Sequence, residues 1–178
     1  MNVFPLKIFN RGNRRDYDTW AKEYGAVGWS YADVMPFFLR FEGNRDPHIV
    51  VQNPQFHSTT GPIGITSWAN PDPLMLIHQK VLNEEAGLPN TDINGPQQVG
   101  TMLAQAFIEN TGIRASAANA YIDPNPFPHN LHILSRALVT KVIFEGKRAV
   151  GVLFERKGVK LRVMAAKEVI LCAGMYYS

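Results

Sequence analysis

Cysteine is all but missing from this sequence, with Cys172 alone among 178 residues. A single thiol excludes an intramolecular disulfide framework and leaves the redox compartment open. Long apolar runs are missing too. None reaches bilayer-spanning length, and at Met1 the short apolar stretch is broken by Pro5 and Lys7 before it resembles a secretory leader. The chain as given therefore reads as soluble. There is no long basic block, because 18 Lys and Arg are interleaved with 15 Asp and Glu for a net charge of +3. That pattern argues against a nucleic-acid partner. The five histidines, His48, His57, His78, His129 and His132, show no HExxH, Cys/His or carboxylate spacing, so no metal is expected and each reads as a surface or loop residue. The serines lack a GxSxG elbow, and glycine-rich phosphate loops of the GxGxxG or Walker type are absent.

Two unlike halves are present. Residues 1–130 hold most of the Pro, Asn and Gly and predict short helices separated by long irregular stretches such as Asn44 to Pro73. Asp16 reads as the cap of a helix with Tyr17, Trp20, Ala21 and Tyr24 on its apolar face, ending at Gly25. Tyr17 and Trp20 are expected to pack on the core. Ser30 and Asp33 form a capping box before Tyr31, Val34, Phe38 and Phe41, with Pro36 predicting a kink or an early start. Asp72 and Pro73 open a third helix, expected to bury Leu74, Ile77 and Val81 and to stop near Gly87.

Residues 131–174 are rich in β-branched residues with period-two alternation. LHILS, ALVTKVIF, AVGVLFE and VKLRVMA are strand candidates, and EGKR and RKG supply the turns that join the last three into a meander. Val159, Leu161 and Val163 alternate with Lys160 and Arg162, predicting one buried and one wet face. In EVILCAG the run Val169 to Ala173 is continuously apolar, which suggests a strand covered on both faces. Composition and pattern alone give an α+β domain and no chemistry.

The stretch RGNRRDYDTWA followed by GWSYADVMPFF resembles the early signature of the glucose-methanol-choline (GMC) oxidoreductases, especially the glucose dehydrogenase-like members from arthropods. GNRDP, FHSTTGPI, DINGPQQVGTM, NTGIRASAANAYIDP, NLHILSRALVTKVIFEGKRAVGVLF and AAKEVILCAG follow in the family's order, from about residue 6 to the end. The resemblance implies an α/β, Rossmann-like FAD-binding fold of which residues 1–178 form a partial domain. The dinucleotide-binding βαβ unit would precede Met1, and the substrate region with its catalytic histidine would follow Ser178. It also implies FAD as cofactor, an alcohol or sugar substrate for the full-length form, and quinone or oxygen as electron acceptor. Full-length members are often secreted, though the compartment of this chain stays open. Pro5 stands where the family usually has asparagine, so residues 1–5 are expected to be foreign to it.

The residues carried over are few. ALVT maps onto the family's A-x-V-T word, and its Val139 would offer backbone N–H and C=O to the adenine of FAD. Ala173 and Gly174 end EVILCAG where the family chain passes the cofactor, and glycine permits close approach. No catalytic residue is assigned. Arg11, Arg14 and Arg15 are expected to be structural, paired locally with Asp16 and Asp18. Gly12 is expected to let the chain turn beneath the flavin. FHSTTGP resembles a lid-like loop, departing at Ser58 from the usual glycine. The competing reading is a non-catalytic module with a partial fold that binds no cofactor.

Overall fold

The computed structural model describes residues 7–174. They divide into two compact units, Met1–Pro126 and Phe127–Ser178. The expectation that Met1 to Pro5 is foreign lies outside the described residues.

The first unit opens with α1 (Arg14–Glu23), capped by Asn13, whose side chain accepts from the Arg15 N–H; Asp16 instead sits in the first turn, where its charge favours the helix dipole. The capping box is formed as expected: α2 (Tyr31–Phe41) begins where Asp33 N–H donates to Ser30 Oγ and Ser30 N–H donates to Asp33. The helix continues through Pro36, forgoing the bond that residue would have donated to Ala32. Tyr31, Val34, Phe38 and Phe41 lie half-buried along one face. Tyr17 stacks edge-on to Phe38 and Trp20 with centroids 5.9 and 5.1 Å apart, but Trp20 keeps its outer side in solvent rather than packing into the core. Ser30→Ala removes one arm of the box and is expected to lower stability by about 1 kcal/mol, read as a shift of the urea midpoint.

The stretch from Asn44 to Pro73 is more regular than its Pro and Asn content suggests. It holds the last residue of β1 (Glu42–Asn44), α3 (Pro47–Gln52) and β2 (Ile63–Ile65), and β1 pairs parallel to β2 with Gly43 opposite Gly64. The two-stranded ladder is buried against Phe9, Ala106 and Gln105, and Phe9 meets Phe41 and Phe107 edge-on at 6.2 and 5.4 Å. α4 (Pro73–Glu84) starts at Asp72 and Pro73 as the sequence predicts. Its apolar face is not buried, however: Leu74 is 70% and Ile77 58% exposed, and Val81 is exposed as well. Helix chemistry fixed the element, whereas burial needed an apolar partner that the described residues do not supply. A short α5 (Ala117–Tyr121), capped by Ser116, completes this unit.

The second unit is the expected meander: β3 (Leu138–Glu145), β4 (Arg148–Arg156) and β5 (Val159–Met164), antiparallel in the order β3-β4-β5. Lys157 and Gly158 both take positive φ, 51° and 76°, which marks a two-residue turn whose twist matches the strands it joins. Three expectations fail here. LHILS is irregular, EVILCAG forms no strand, and Val159, Leu161 and Val163 are exposed. The cause is shared. A strand or an apolar sheet face exists only against a partner, and Ile170, 73% exposed, has none to cover it among the described residues.

Candidate functional site

The most concentrated chemistry lies around His57, which is 5% exposed although its sequence context reads as a surface loop. Residues from distant parts of the first unit converge there. Arg11 comes from the segment before α1, Glu42 and Asn44 from β1, His57 from the loop after α3, and Asp92 and Asn94 from the loop after α4. Arg11 Nη2 donates to Glu42 Oε2 as a fully buried ion pair, while Nη1 donates to the Phe56 carbonyl at 2.5 Å. His57 stands between two carboxylates, with Nδ1 2.6 Å from Glu42 Oε1 and Nε2 2.7 Å from Asp92 Oδ2. Asn44 donates to Glu42 at 2.8 Å and exchanges two bonds with Gln105, whose Nε2 also donates to Asp46 at 2.6 Å. Asn94 accepts from the Arg11 N–H at 2.9 Å and donates to the Phe9 carbonyl at 3.1 Å.

These contacts set the charge of each member. Burial pulls the His57 pKa down, but hydrogen bonds to Asp92 and Glu42 and the charges of both carboxylates outweigh it, raising the value to about 9. Burial alone would raise Asp92; the bonds from His57 and the Asn94 N–H hold it below the ordinary carboxylate range. Asp46 is likewise held low, against its burial, by Gln105, Ser67 and Thr66. Burial lowers the Arg11 guanidinium, opposed by the Glu42 charge, and it remains a cation. Arg11 and His57 thus face Glu42 and Asp92, two cations against two anions, while Asp46, joined through Gln105, is satisfied by neutral donors from Gln105, Ser67 and Thr66. With both ring nitrogens engaged and the side chain sealed from solvent, His57 is unsuited to act as a base on a substrate.

The residues that sequence reasoning nominated lie in the second unit. Val139 is on β3, opposite Phe154 and 52% exposed. β3 is an outer strand, so alternate backbone groups face away from β4. The register shifts between Val139 and Lys141, leaving Thr140 as a bulge directly beside Val139. An outer, bulged strand edge leaves backbone donors and acceptors that β4 does not take up. Ala173 and Gly174 are exposed and irregular, with Gly174 at φ 94°. A Cβ added at Gly174 would meet nothing within 4 Å, so no close approach is built there by this chain itself. No strand ladder links Val139 to the 173–174 turn among the described residues.

The profile of the family described as "GMC oxidoreductase" matches residues 6–178. The chain belongs to the GMC oxidoreductases. It is 39% identical over 166 residues to an oxygen-dependent choline dehydrogenase of Chromohalobacter salexigens, covering 92% of this chain and 29% of that protein. It is 38% identical over 176 residues to a glucose dehydrogenase [FAD, quinone] of Drosophila pseudoobscura pseudoobscura, covering 97% of this chain and 27% of that one. Among solved structures it resembles an FAD-dependent oxidoreductase from Chaetomium thermophilum, with a TM-score of 0.74 and 24% identity over 90% of this chain and 29% of the other. It also resembles pyridoxine 4-oxidase from Mesorbium loti, with a TM-score of 0.77 and 21% identity over 89% of this chain and 30% of the other. This GMC chain therefore spans about three tenths of the length of the relatives it matches. The mixed α/β fold read from the sequence, helical and loop-rich first and a meander second, is the fold observed.

Within this GMC chain the histidine reading is the main correction. His57 sits in FHSTTGP, where no spacing marks it, and its partners Glu42 and Asp92 lie 15 and 35 residues away. Among the described residues Arg14 pairs locally, with Asp18 at 3.3 Å, whereas Arg11 reaches Glu42 across 31 residues. Two acids within reach of one histidine formed a signal only in three dimensions. No helix among the described residues is long and apolar enough to cross a membrane.

Proposed function

We propose that residues 1–178 form part of the FAD-binding domain of an oxidoreductase acting on CH–OH groups of alcohol or sugar donors. The observation that carries this reading is the open, bulged edge of β3 at Val139 in a chain of this family. There the backbone N–H and C=O of Val139 would pair with the rim of the adenine much as a neighbouring strand would. The left-handed turn at Ala173 and Gly174 would let the chain run along the cofactor without a side chain intervening. Bound flavin supplies the hydride acceptor for alcohol oxidation. The contribution of these residues is to bind and orient, and the proton-accepting base is assigned to no residue of the chain. Donor class and acceptor rest on the relatives, one named for choline and oxygen, the other for glucose and quinone.

The pyrophosphate of a dinucleotide is ordinarily held at a helix N-terminus behind a glycine-rich loop, and GxGxxG is absent from these 178 residues. The chain purified alone is therefore expected to be colourless and unable to reduce a redox dye with choline, glucose or aliphatic alcohols. A longer protein carrying this segment behind a GxGxxG unit should purify with flavin absorbance and reduce the dye with one of those donors. Stoichiometric flavin and alcohol-dependent reduction in the 178-residue chain would overturn the assignment of its residues to partial binding alone. Absence of flavin from the longer protein would overturn the FAD reading.

A further inference from the structure

The cluster around His57 plays no part in the proposed cofactor contacts, yet it is more completely buried than any other group of ionisable side chains in the described residues. Its geometry carries a specific proton count. Each imidazole nitrogen lies within 2.7 Å of a carboxylate oxygen, and a carboxylate only accepts. Both nitrogens must then carry a proton. A neutral ring would set a lone pair against a carboxylate oxygen at one nitrogen, and at Nε2 no donor stands by to relieve it among the described residues.

The segments joined by these two bonds are also tied by backbone bonds and by Arg11. Glu42 belongs to β1, which also receives the Gly61 N–H at 2.8 Å, while the Asn44 N–H reaches the Ser58 carbonyl at 2.9 Å. Asp92 heads the turn closed by Gly95 N–H to Asp92 O at 3.0 Å, and Asn53 adds a bond of 3.2 Å to its Oδ2. Among the described residues His57 is the one side chain shown bonding β1 on one side and the 92–95 turn on the other. From the third direction Arg11 Nη2 and Asn44 Nδ2 approach Nδ1 to 3.3 Å, converging on the same Glu42 carboxylate. Tyr31 of α2 completes the titratable surroundings through its interaction with Arg11 and Asp92.

We propose that His57 is a proton-operated latch: its imidazolium, held by Glu42 and Asp92, helps fasten the FHSTTGP loop and the 92–95 turn to β1, and loss of one proton loosens that fastening. Asp92 also lines a cavity of about 200 Å³ together with His48, Gln52, Ser67 and Thr91, so of the two latch bonds the one at Nε2 lies beside a cavity. The sign follows from the two protonation states. The closed form holds its proton to about pH 9 and the opened form releases it near the ordinary histidine value of 6.5. The latch is at full strength below 6.5, and opening rises about tenfold per pH unit between the two values.

Ring ¹⁵N NMR of the 178-residue chain, with His48 as an exposed internal reference, tests this directly. The expected result is a His57 ring protonated at both nitrogens at pH 7.5. Hydrogen exchange at Asn44, Gly61 and Gly95, corrected for intrinsic rates, should show roughly tenfold more opening for each pH unit between 6.5 and 9. In His57→Gln that slope should flatten while the fold is retained. If the variant does not fold, the ring spectrum of the unaltered chain still decides. A neutral His57 at pH 7.5, or opening that is independent of pH in the unaltered chain, overturns the proposal.

Discussion

Arg11→Met is expected to destabilise the chain by about 3–5 kcal/mol, because it removes one partner of a buried ion pair and leaves the other charge in place. Arg11 is 3% exposed and Glu42 fully buried, so water cannot take over the lost contact. The guanidinium also donates to the Phe56 carbonyl, and its backbone N–H is held by Asn94, so the side chain and main chain at this position join several segments. The ring faces of Phe9 and Phe38, 5.2 and 6.0 Å from the guanidinium carbon, would accommodate the methionine, which keeps the loss electrostatic rather than one of volume. Arg14→Met is the matched control. Its pair with Asp18 is exposed and should be worth no more than about 0.5 kcal/mol. Urea unfolding of the two variants beside the unaltered chain gives the comparison, and equal midpoints would refute the assignment of Arg11 to a buried, charge-balanced core.

Gly61→Ala is expected to be at least as damaging, at more than about 3 kcal/mol, for a purely steric reason. A Cβ at this position would lie 2.3 Å from the Phe41 carbonyl carbon, 2.4 Å from its oxygen and 2.5 Å from the Glu42 carbon. All three are backbone atoms, at the junction where α2 runs into β1, and the Gly61 N–H donates to Glu42 O at 2.8 Å in the same place. Relief would require separating these segments and so breaking the bond. Gly64→Ala shows what a yielding neighbour changes. Its Cβ would meet Glu109 at 2.2 Å, but that is the end of a half-exposed side chain that can swing aside, so the cost should be smaller than at Gly61. Circular dichroism melts of the two variants measure the difference, and a Gly61→Ala chain melting within a degree or two of the unaltered one would contradict the close approach.

Both effects depend on positions that read as ordinary loop residues. RGN and FHSTTGP each identify the family as words, yet nothing in either word says that Arg11 reaches Glu42 or that His57 reaches Asp92. The sequence did settle what depends on near neighbours. Ser30 and Asp33 begin α2, Asp72 and Pro73 begin α4, and Lys157–Gly158 joins β4 to β5, because capping and turn formation involve atoms only a few residues apart. The ordered family motifs fixed membership for a similar reason, being strings that need no three-dimensional partner to be recognised.

Tertiary structure decided everything that required a partner far along the chain. Apolar alternation in β5 and helical spacing in α4 marked faces suited to burial, but burial is a property of two surfaces, and those faces remain exposed here. EVILCAG has the composition of a core strand, and among the described residues no strand lies beside it to supply the hydrogen bonds. His57 is the converse case. Its local sequence favours a wet loop, and only the meeting of β1, the loop after α3 and the 92–95 turn removes it from water and surrounds it with carboxylates. The sequence alone determined where helices and turns begin and which family the chain belongs to. Which side chains are buried, and with what charge, was decided by long-range packing, because desolvation and Coulombic pairing depend on distance in space rather than along the chain.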